Sequence, residues 1–305
     1  MSDSTLPSDP LWPRAGHWLV RPHATDASVA DLGVLGVPAF RTSITPTNAH
    51  ATPAAVREAL LRYSTYSASH DVDVAGLTAF DLGDVDEPDG PDGEARVQDA
   101  VAKAADRCRF LIAIGGDNSL TYGVVRGLFA EQLPASGLIT IDAHHDVRDG
   151  ATNGSPVRRL LEAGLPGANV VQIGIADFSN SAAHARRARE AGITVVPRSE
   201  LRGADLHVVT AHALEIAGAG GRPVFVDVDV DVCDRATVPG CPSAAPGGIS
   251  ADELRQLVYT LALDPRVAGI DLAEIDATID ARDGRTVRLA ALLLLEAAAA
   301  VVSRG

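Results

Sequence analysis

The residues able to do chemistry fall in two short clusters. Asp142, His144 and Asp146 alternate with other residues in Asp142-Ala143-His144-His145-Asp146, and Asp229 and Asp231 do likewise in Asp229-Val230-Asp231-Val232-Cys233-Asp234. A spacing of two puts the side chains of a cluster on one face wherever the chain is extended. The run Asp227, Asp229, Asp231, Asp234 repels itself strongly unless a cation sits among the carboxylates or their pKa values rise. A divalent metal is the simplest remedy. Carboxylates with one imidazole suit Mn2+ or Mg2+ better than a structural zinc, which favours thiolates. Asp142, Asp146, Asp229, Asp231 and His144 exceed what one ion needs, so a pair of ions bridged by Asp142 and Asp229 is the economical arrangement. Two such ions activate a water, and the reaction class predicted is metal-assisted hydrolysis.

Taken singly, an Asp-x-Asp pair after a strand is more often a helix cap or a solvated turn. Two such pairs, with Gly115-Gly116-Asp117-Asn118-Ser119 after a third apolar run and Glu274 after a fourth, favour the metal. Ser119 reads as a helix N-cap rather than a nucleophile, because no histidine partner accompanies it. His50, His70, His184, His207 and His212 read as surface or core histidines, and Cys233 as an apolar packing residue.

These groups need a scaffold that brings four strand ends together. Apolar runs at 31–38, 110–114, 138–141, 170–175, 194–196, 224–228 and 270–273 read as strands. Stretches of helical period at 52–63, 94–108, 183–191, 205–216, 251–263 and 287–302 read as helices, the first with Thr52 as N-cap and Pro53 at the first helical position. Strands apolar throughout, alternating with helices, predict an α/β fold whose parallel sheet is covered on both faces. Ligands bind such a sheet beyond the carboxyl ends of its strands, which is where the polar clusters lie. Residues 1–30, rich in Pro, Ser and Asp, are expected to be a loosely ordered lead-in, and 31–305 a single catalytic domain.

Composition limits the partners. A chain of 305 residues that is 46% hydrophobic and 22% charged can bury a large core. Its formal charge of −14 disfavours nucleic acid and anionic membrane, since both are polyanions, and points to a small molecule or a cation. Cys108, Cys233 and Cys241 are odd in number and lack CxxC spacing, which fits a reducing cytoplasm. The N-terminus has no basic stretch followed by an apolar run, and the apolar run at 289–302, interrupted by Glu296, reads as too short to span a bilayer.

The four clusters, in order and spacing, resemble the signatures of the arginase, agmatinase and formimidoylglutamase superfamily of ureohydrolases, over a match from about Asp31 to the C-terminus. That resemblance implies a three-layer α/β/α sandwich around a mostly parallel eight-stranded sheet, and trimers or hexamers. It implies that Asp142 and Asp229 bridge two Mn2+ ions, with Asp146 completing one site and His144 with Asp231 the other. Asp146 would also accept the proton of the attacking hydroxide and pass it to the leaving nitrogen, while Glu274 would hold a cationic amidine or guanidinium carbon. Two positions depart from the pattern. Asn118 stands where arginase and agmatinase have a metal-ligating histidine, and an amide oxygen is a weaker donor. Asn153 aligns with a histidine that relays protons in arginases, a task asparagine cannot perform at neutral pH. His145 points to the opposite face from its neighbours and is expected behind the ligands.

Arg148 occupies the position of an arginase asparagine that binds the amino-acid end of the substrate, and a guanidinium there invites a carboxylate. The segment Ala176-Asp177-Phe178-Ser179-Asn180 looks neutral where arginases hold the α-amino group, so arginine fits poorly and agmatine worse. A cationic formimino head on an anionic glutamate reconciles Glu274 with Arg148, with Asn153, Ser155 and Arg158 (or Arg159) as further substrate contacts. The 142–148 stretch with Thr152-Asn153-Gly154-Ser155-Pro156 also resembles the bacterial formimidoylglutamases of histidine degradation, which implies hydrolysis to glutamate and formamide. A guanidino acid such as guanidinobutyrate has the same polarity and is the rival substrate. A metal-binding homologue without catalysis is the third reading, against which Asp146 and Glu274 argue. The bland reading of Arg148 is a salt bridge to Asp149 or another local carboxylate.

Overall fold

A computed structural model describes residues 9–22 and 28–304. In chain order its elements are β1 (Ala30–Val37), α1 (Thr52–Leu60), β2 (Tyr66–Ser67), β3 (Val72–Asp73), β4 (Ala79–Asp84), α2 (Gly90–Ala105), β5 (Cys108–Gly115), α3 (Leu120–Phe129), β6 (Gly137–Ile141) and α4 (Pro156–Glu162). There follow β7 (Val170–Ile175), α5 (Ala182–Glu190), β8 (Thr194–Pro197), α6 (Arg198–Leu201), α7 (Leu206–Ala217), β9 (Val224–Asp229), α8 (Ala251–Ala262), β10 (Val267–Ala273) and α9 (Arg285–Ser303). The lead-in expected over 1–30 lies partly outside the described residues. Within the described part, Ala15 is buried and Val20 bridges Phe80 beside the sheet.

Eight strands form one sheet in the order β4-β1-β5-β10-β9-β6-β7-β8. Every pairing in it is parallel, while β2 and β3 form a separate antiparallel hairpin. Because the central strands are apolar on both faces, both must be covered. Residues of α1, α7, α8 and α9 pack into one apolar core, and residues of α2, α3, α4 and α5 into the other. The result is the expected α/β/α sandwich. The crossover from β5 to β6 leaves room that β10 and β9 later fill, so β5, β10, β9 and β6 end as neighbours at one edge. That topology is what gathers the four polar clusters.

Local chemistry fixes several element ends. Ser250 and Glu253 form a reciprocal capping box at the start of α8, and Ser181 caps α5 through the His184 N–H. The cap expected from Thr52 does not form: Thr52 is the first helical residue of α1, and its buried hydroxyl donates to the Ile275 carbonyl at 2.5 Å. This ties α1 to the turn just after Glu274. Helix α2 runs Gly90–Ala105 rather than over 94–108, because Cys108 already belongs to β5.

Strand β4 escapes an apolar-run reading because Asp81, Gly83 and Asp84 interrupt it; both aspartates pair with Arg57. Helix α9 is long and apolar enough to cross a membrane by length and composition, which corrects the expectation of a run too short. Yet 67% of that span is buried against α8, α1 and their neighbours, as a core helix requires.

Candidate metal and substrate site

The first cluster follows β6, but not as an extended strand. The strand ends at Ile141, and Asp146 has φ 52°, a left-handed conformation that non-glycine residues rarely adopt. Convergence comes from a turn instead: Asp142 Oδ1 accepts the His144 N–H at 2.6 Å, and His144 Nδ1 lies 2.7 Å from Asp231 Oδ2. Asp229 makes the matching turn after β9, its Oδ1 accepting the Asp231 N–H at 2.8 Å, while Asp231 Oδ1 accepts from Ala143 N at 3.0 Å. The turn reading of Asp-x-Asp is therefore realised through one oxygen of each first aspartate. These turns are not solvated, however: Asp142, Asp229 and Asp231 are all buried, and Asp142 Oδ2 has no hydrogen-bond partner.

Potential ligand atoms of Asp142, His144 and Asp231 all lie within 4.8 Å of one another. Asp146 and Asp229 line the same cavity, of about 110 Å3, together with His144, Asp231, Arg148, Asn153, Gly154, Ser243, Glu274, Ile44 and Thr45. Burial raises the carboxyl pKa of Asp142 and Asp229 well above the ordinary range, with neighbouring aspartates adding to the effect, and pushes Asp146 up to about 7. His144 resists charging through burial, but Asp231, Asp146 and Glu274 outweigh this and raise it to about 9, while Asp231 is held low by His144 despite its own burial. A set of buried carboxylates this crowded, with Asp142 Oδ2 unsatisfied and Asp231 Oδ2 facing only the His144 ring, fits a divalent cation.

Glu274 follows β10 with φ 62°, the second left-handed backbone at the site. Strained backbone of this kind persists where surrounding contacts over-determine it. Here the Glu274 N–H donates to the Gly116 carbonyl at 2.9 Å, and Gly116 itself can carry no side chain, since a Cβ would meet the Ala39 carbonyl oxygen at 2.0 Å. The carboxylate is held by the Asn118 N–H at 2.9 Å and Asn153 Nδ2 at 2.7 Å, both on Oε1, with Ser243 Oγ at 3.3 Å from Oε2. Burial raises its pKa, and these donors pull it back.

Asn118 does not present its oxygen to the cavity. Its Nδ2 donates to Asp146 Oδ2 at 2.8 Å, and its Oδ1 accepts from Thr121 Oγ1 at 2.8 Å, so in this orientation it is not a metal ligand, contrary to expectation. Thr121 has one proton for two acceptors, the other being Asp271 Oδ2 at 2.9 Å. If the proton goes to Asp271, a flipped amide donates to Thr121 and turns Asn118 Oδ1 onto Asp146 Oδ2, an arrangement of two acceptors that needs a proton or a cation between them. Asp271 is paired in register with Asp227, and burial raises both carboxyls.

Arg148 lies on the cavity wall, and among the described residues no acidic group pairs with it. Asp149 pairs instead with Arg187 at 2.9 Å, so the local salt bridge does not form. Two expected substrate contacts are corrected. Arg158 is committed to the loop beneath, its Nε donating to the Arg148 carbonyl at 2.6 Å and its Nη2 to the Gly150 carbonyl at 2.5 Å. Ser155 is fully buried, and its hydroxyl closes a turn on Thr152. Arg159, the alternative, makes a two-point pair with Glu94. Ser119 occupies the N-cap position of α3 without capping it; its hydroxyl binds Asp117 Oδ1 at 2.5 Å. His145 faces away and bonds Gln172 at 2.7 Å. Ile44, Thr45 and Ser243 carry no sequence signal, because nothing in a Thr- and Pro-rich loop marks which side it turns to a cavity.

A larger cavity, of about 620 Å3, lies beside β4 at the far edge of the sheet and is lined by Leu35, Leu82, Arg107 and their neighbours. Size does not outweigh chemistry here, since Asp146, Asp229, Asp231 and Glu274 converge on the smaller one. With this geometry in hand, comparison with known proteins is decisive for ancestry: the model of the arginase family matches residues 30–300. The chain belongs to the arginase family. Within that family, the formimidoylglutamase of Halalkalibacterium halodurans is 36% identical over 272 residues, 86% of this chain and 85% of that one. The crystal structure of formimidoylglutamase from Bacillus subtilis superposes with a TM-score of 0.90 at 31% identity, covering 98% of this chain and 95% of that chain. The structure of Trypanosoma cruzi formiminoglutamase with Mn2+ shares the arginase-family fold at 24% identity, with a TM-score of 0.87 over 96% of this chain and 100% of that chain.

Proposed function

We propose that this chain is a formimidoylglutamase, which hydrolyses N-formimidoyl-L-glutamate to glutamate and formamide with two Mn2+ ions. The observation that carries the substrate is the pairing of opposite charges in one small cavity: Glu274, pinned by three donors, and Arg148, which among the described residues has no acidic partner, both line it. The reading is supported by 36% identity to a formimidoylglutamase.

Asp142, His144, Asp146, Asp229 and Asp231 are the residues that would hold the ions. Such ions, when bound, would supply a water made acidic enough to act as a nucleophile near neutral pH. Glu274 pairs with the protonated formimino head and fixes its carbon. Asp146 would take the proton released as the new C–O bond forms and give it to the glutamate nitrogen as the C–N bond breaks. Arg148 pairs with a carboxylate of the glutamate and repels cationic tails. We assign these roles to a single domain over 31–305 that works as a cytoplasmic homo-oligomer, a trimer or hexamer; its three free, buried cysteines suit a reducing compartment. Supplying formimidoylglutamate and guanidinobutyrate in parallel tests the substrate: formamide from the first is expected, and urea from the second in its place would overturn the choice.

The buried acids set a pH signature for the metal-stripped protein. Burial pushes Asp117, Asp146 and Asp271 up to about 7 and raises Asp142, Asp227 and Asp229 as well, whereas unfolded aspartate titrates near ~3.9. The folded state thus holds more protons, and this stability is fully present below the unfolded value and lost as pH rises through about 7. His144, raised to about 9, works in the same direction: its contribution is present below ~6.5 and lost as pH rises through its folded value. The Tm of stripped protein is therefore expected to fall from about pH 5 to about pH 8, and Mn2+ to raise it most at the upper end. Calorimetry across that range checks this, and a Mn2+ effect larger at the acid end would contradict it.

A further inference from the structure

Residues 41–48 form a strap beside the cavity, tied down at both ends. The Phe40 and Arg41 N–H groups donate to Asp89 Oδ1 at 2.9 and 2.8 Å, and Thr47 Oγ1 and the Asn48 N–H to Asp276 Oδ2 at 3.0 and 2.7 Å. Between these anchors, among the described residues, Asn153 holds the strap. Asn153 Oδ1 accepts the Ile44 N–H at 3.0 Å, and the Asn153 N–H donates to the Thr42 carbonyl at 3.4 Å. The same amide donates through Nδ2 to Glu274 Oε1 at 2.7 Å.

We propose that Asn153 is a positioning residue that locks the strap and the Glu274 carboxylate together, so that a substrate head is gripped and its tail walled in by one coupled unit. The inference rests on Glu274 as the head-binding group. Ile44 and Thr45 line the cavity beside Arg148, and the next residue shows how closely they meet. A Cβ on Gly154 would come 2.7 Å from Arg148 Cδ and 3.1 Å from Ile44 Cδ1. Ile44 thereby sets an apolar wall next to the Arg148 stem, suited to the methylenes of an acidic tail. An amide meets the coupling's requirements because it carries a donor and an acceptor on one rigid plane and does not titrate. Aspartate would face Glu274 with a second carboxylate, and alanine would leave the Ile44 N–H without its acceptor and Glu274 with one donor fewer.

The test uses Mn2+-loaded protein, comparing wild type with Asn153→Ala and Asn153→His. In the free protein, hydrogen exchange at Ile44 is expected to rise roughly tenfold or more in Asn153→Ala, the loss of one protecting bond. The KM for formimidoylglutamate is expected to rise about tenfold, with kcat changing by less than about threefold. A neutral histidine restores one donor and one acceptor, so Asn153→His should recover slow exchange near pH 8 and lose it near pH 6, where both ring nitrogens donate. Unchanged exchange in Asn153→Ala, or faster exchange with an unchanged KM, overturns the proposal. If loaded wild type released no formamide, the substrate reading would fall, while exchange at Ile44 would still decide whether Asn153 holds the strap.

Discussion

Asp231→Ala is expected to give a folded protein that binds about one Mn2+ fewer and releases formamide on the order of 10^3-fold more slowly or worse, since even residues that only orient a metal ligand cost about 10- to 100-fold. Asp231 is where two clusters meet: Oδ2 lies 2.7 Å from His144 Nδ1, and Oδ1 accepts from Ala143 at 3.0 Å. Its loss removes one ligand directly and frees a second, His144, to rotate. Folding should survive, because the variant removes one of several mutually repelling buried carboxylates. Metal content by elemental analysis and steady-state formamide release check the two halves. Full metal content with normal turnover would show that Asp231 is only a turn residue.

Arg148→Met should raise the KM for formimidoylglutamate by roughly 100-fold, the loss of a two-point charge-assisted contact, with kcat falling far less. Methionine keeps the stem that packs on Gly154 and removes only the charge. A formimidoyl compound without carboxylates supplies the internal control, since its turnover should not respond to the substitution. An unchanged KM for formimidoylglutamate would transfer tail recognition to some other group.

Much of this site was legible before any coordinates, because parallel α/β sheets display their chemistry at strand ends and the polar clusters interrupt otherwise apolar runs. Asp142, His144, Asp146, Asp229, Asp231 and Glu274 meet where β6, β9 and β10 end, as expected. Their convergence does not come from continued strand geometry: β6 ends at Ile141, and Asp142, His144 and Asp146 are brought together by a turn in which Asp146 is left-handed. What stayed hidden depends on direction and long-range pairing. Arg158 lies close to Arg148 in sequence, yet the turn that starts α4 at Pro156 sends its guanidinium back to loop carbonyls. Asn153 could be placed near the substrate, but not its bond to Glu274, 121 residues away, nor its hold on Ile44. The orientation of Asn118 depends on a single Thr121 proton shared between two acceptors, and no spacing encodes that. Strand β4 was missed because its aspartates serve Arg57, a partner on another element.

The most direct test of the central claim is the rate of formamide release from formimidoylglutamate by one preparation, first stripped of metal by chelation and then reloaded with Mn2+. The account predicts no turnover when stripped, full recovery on reloading, and saturation near two ions per chain. Equal turnover with and without metal, or none in either state, would contradict it.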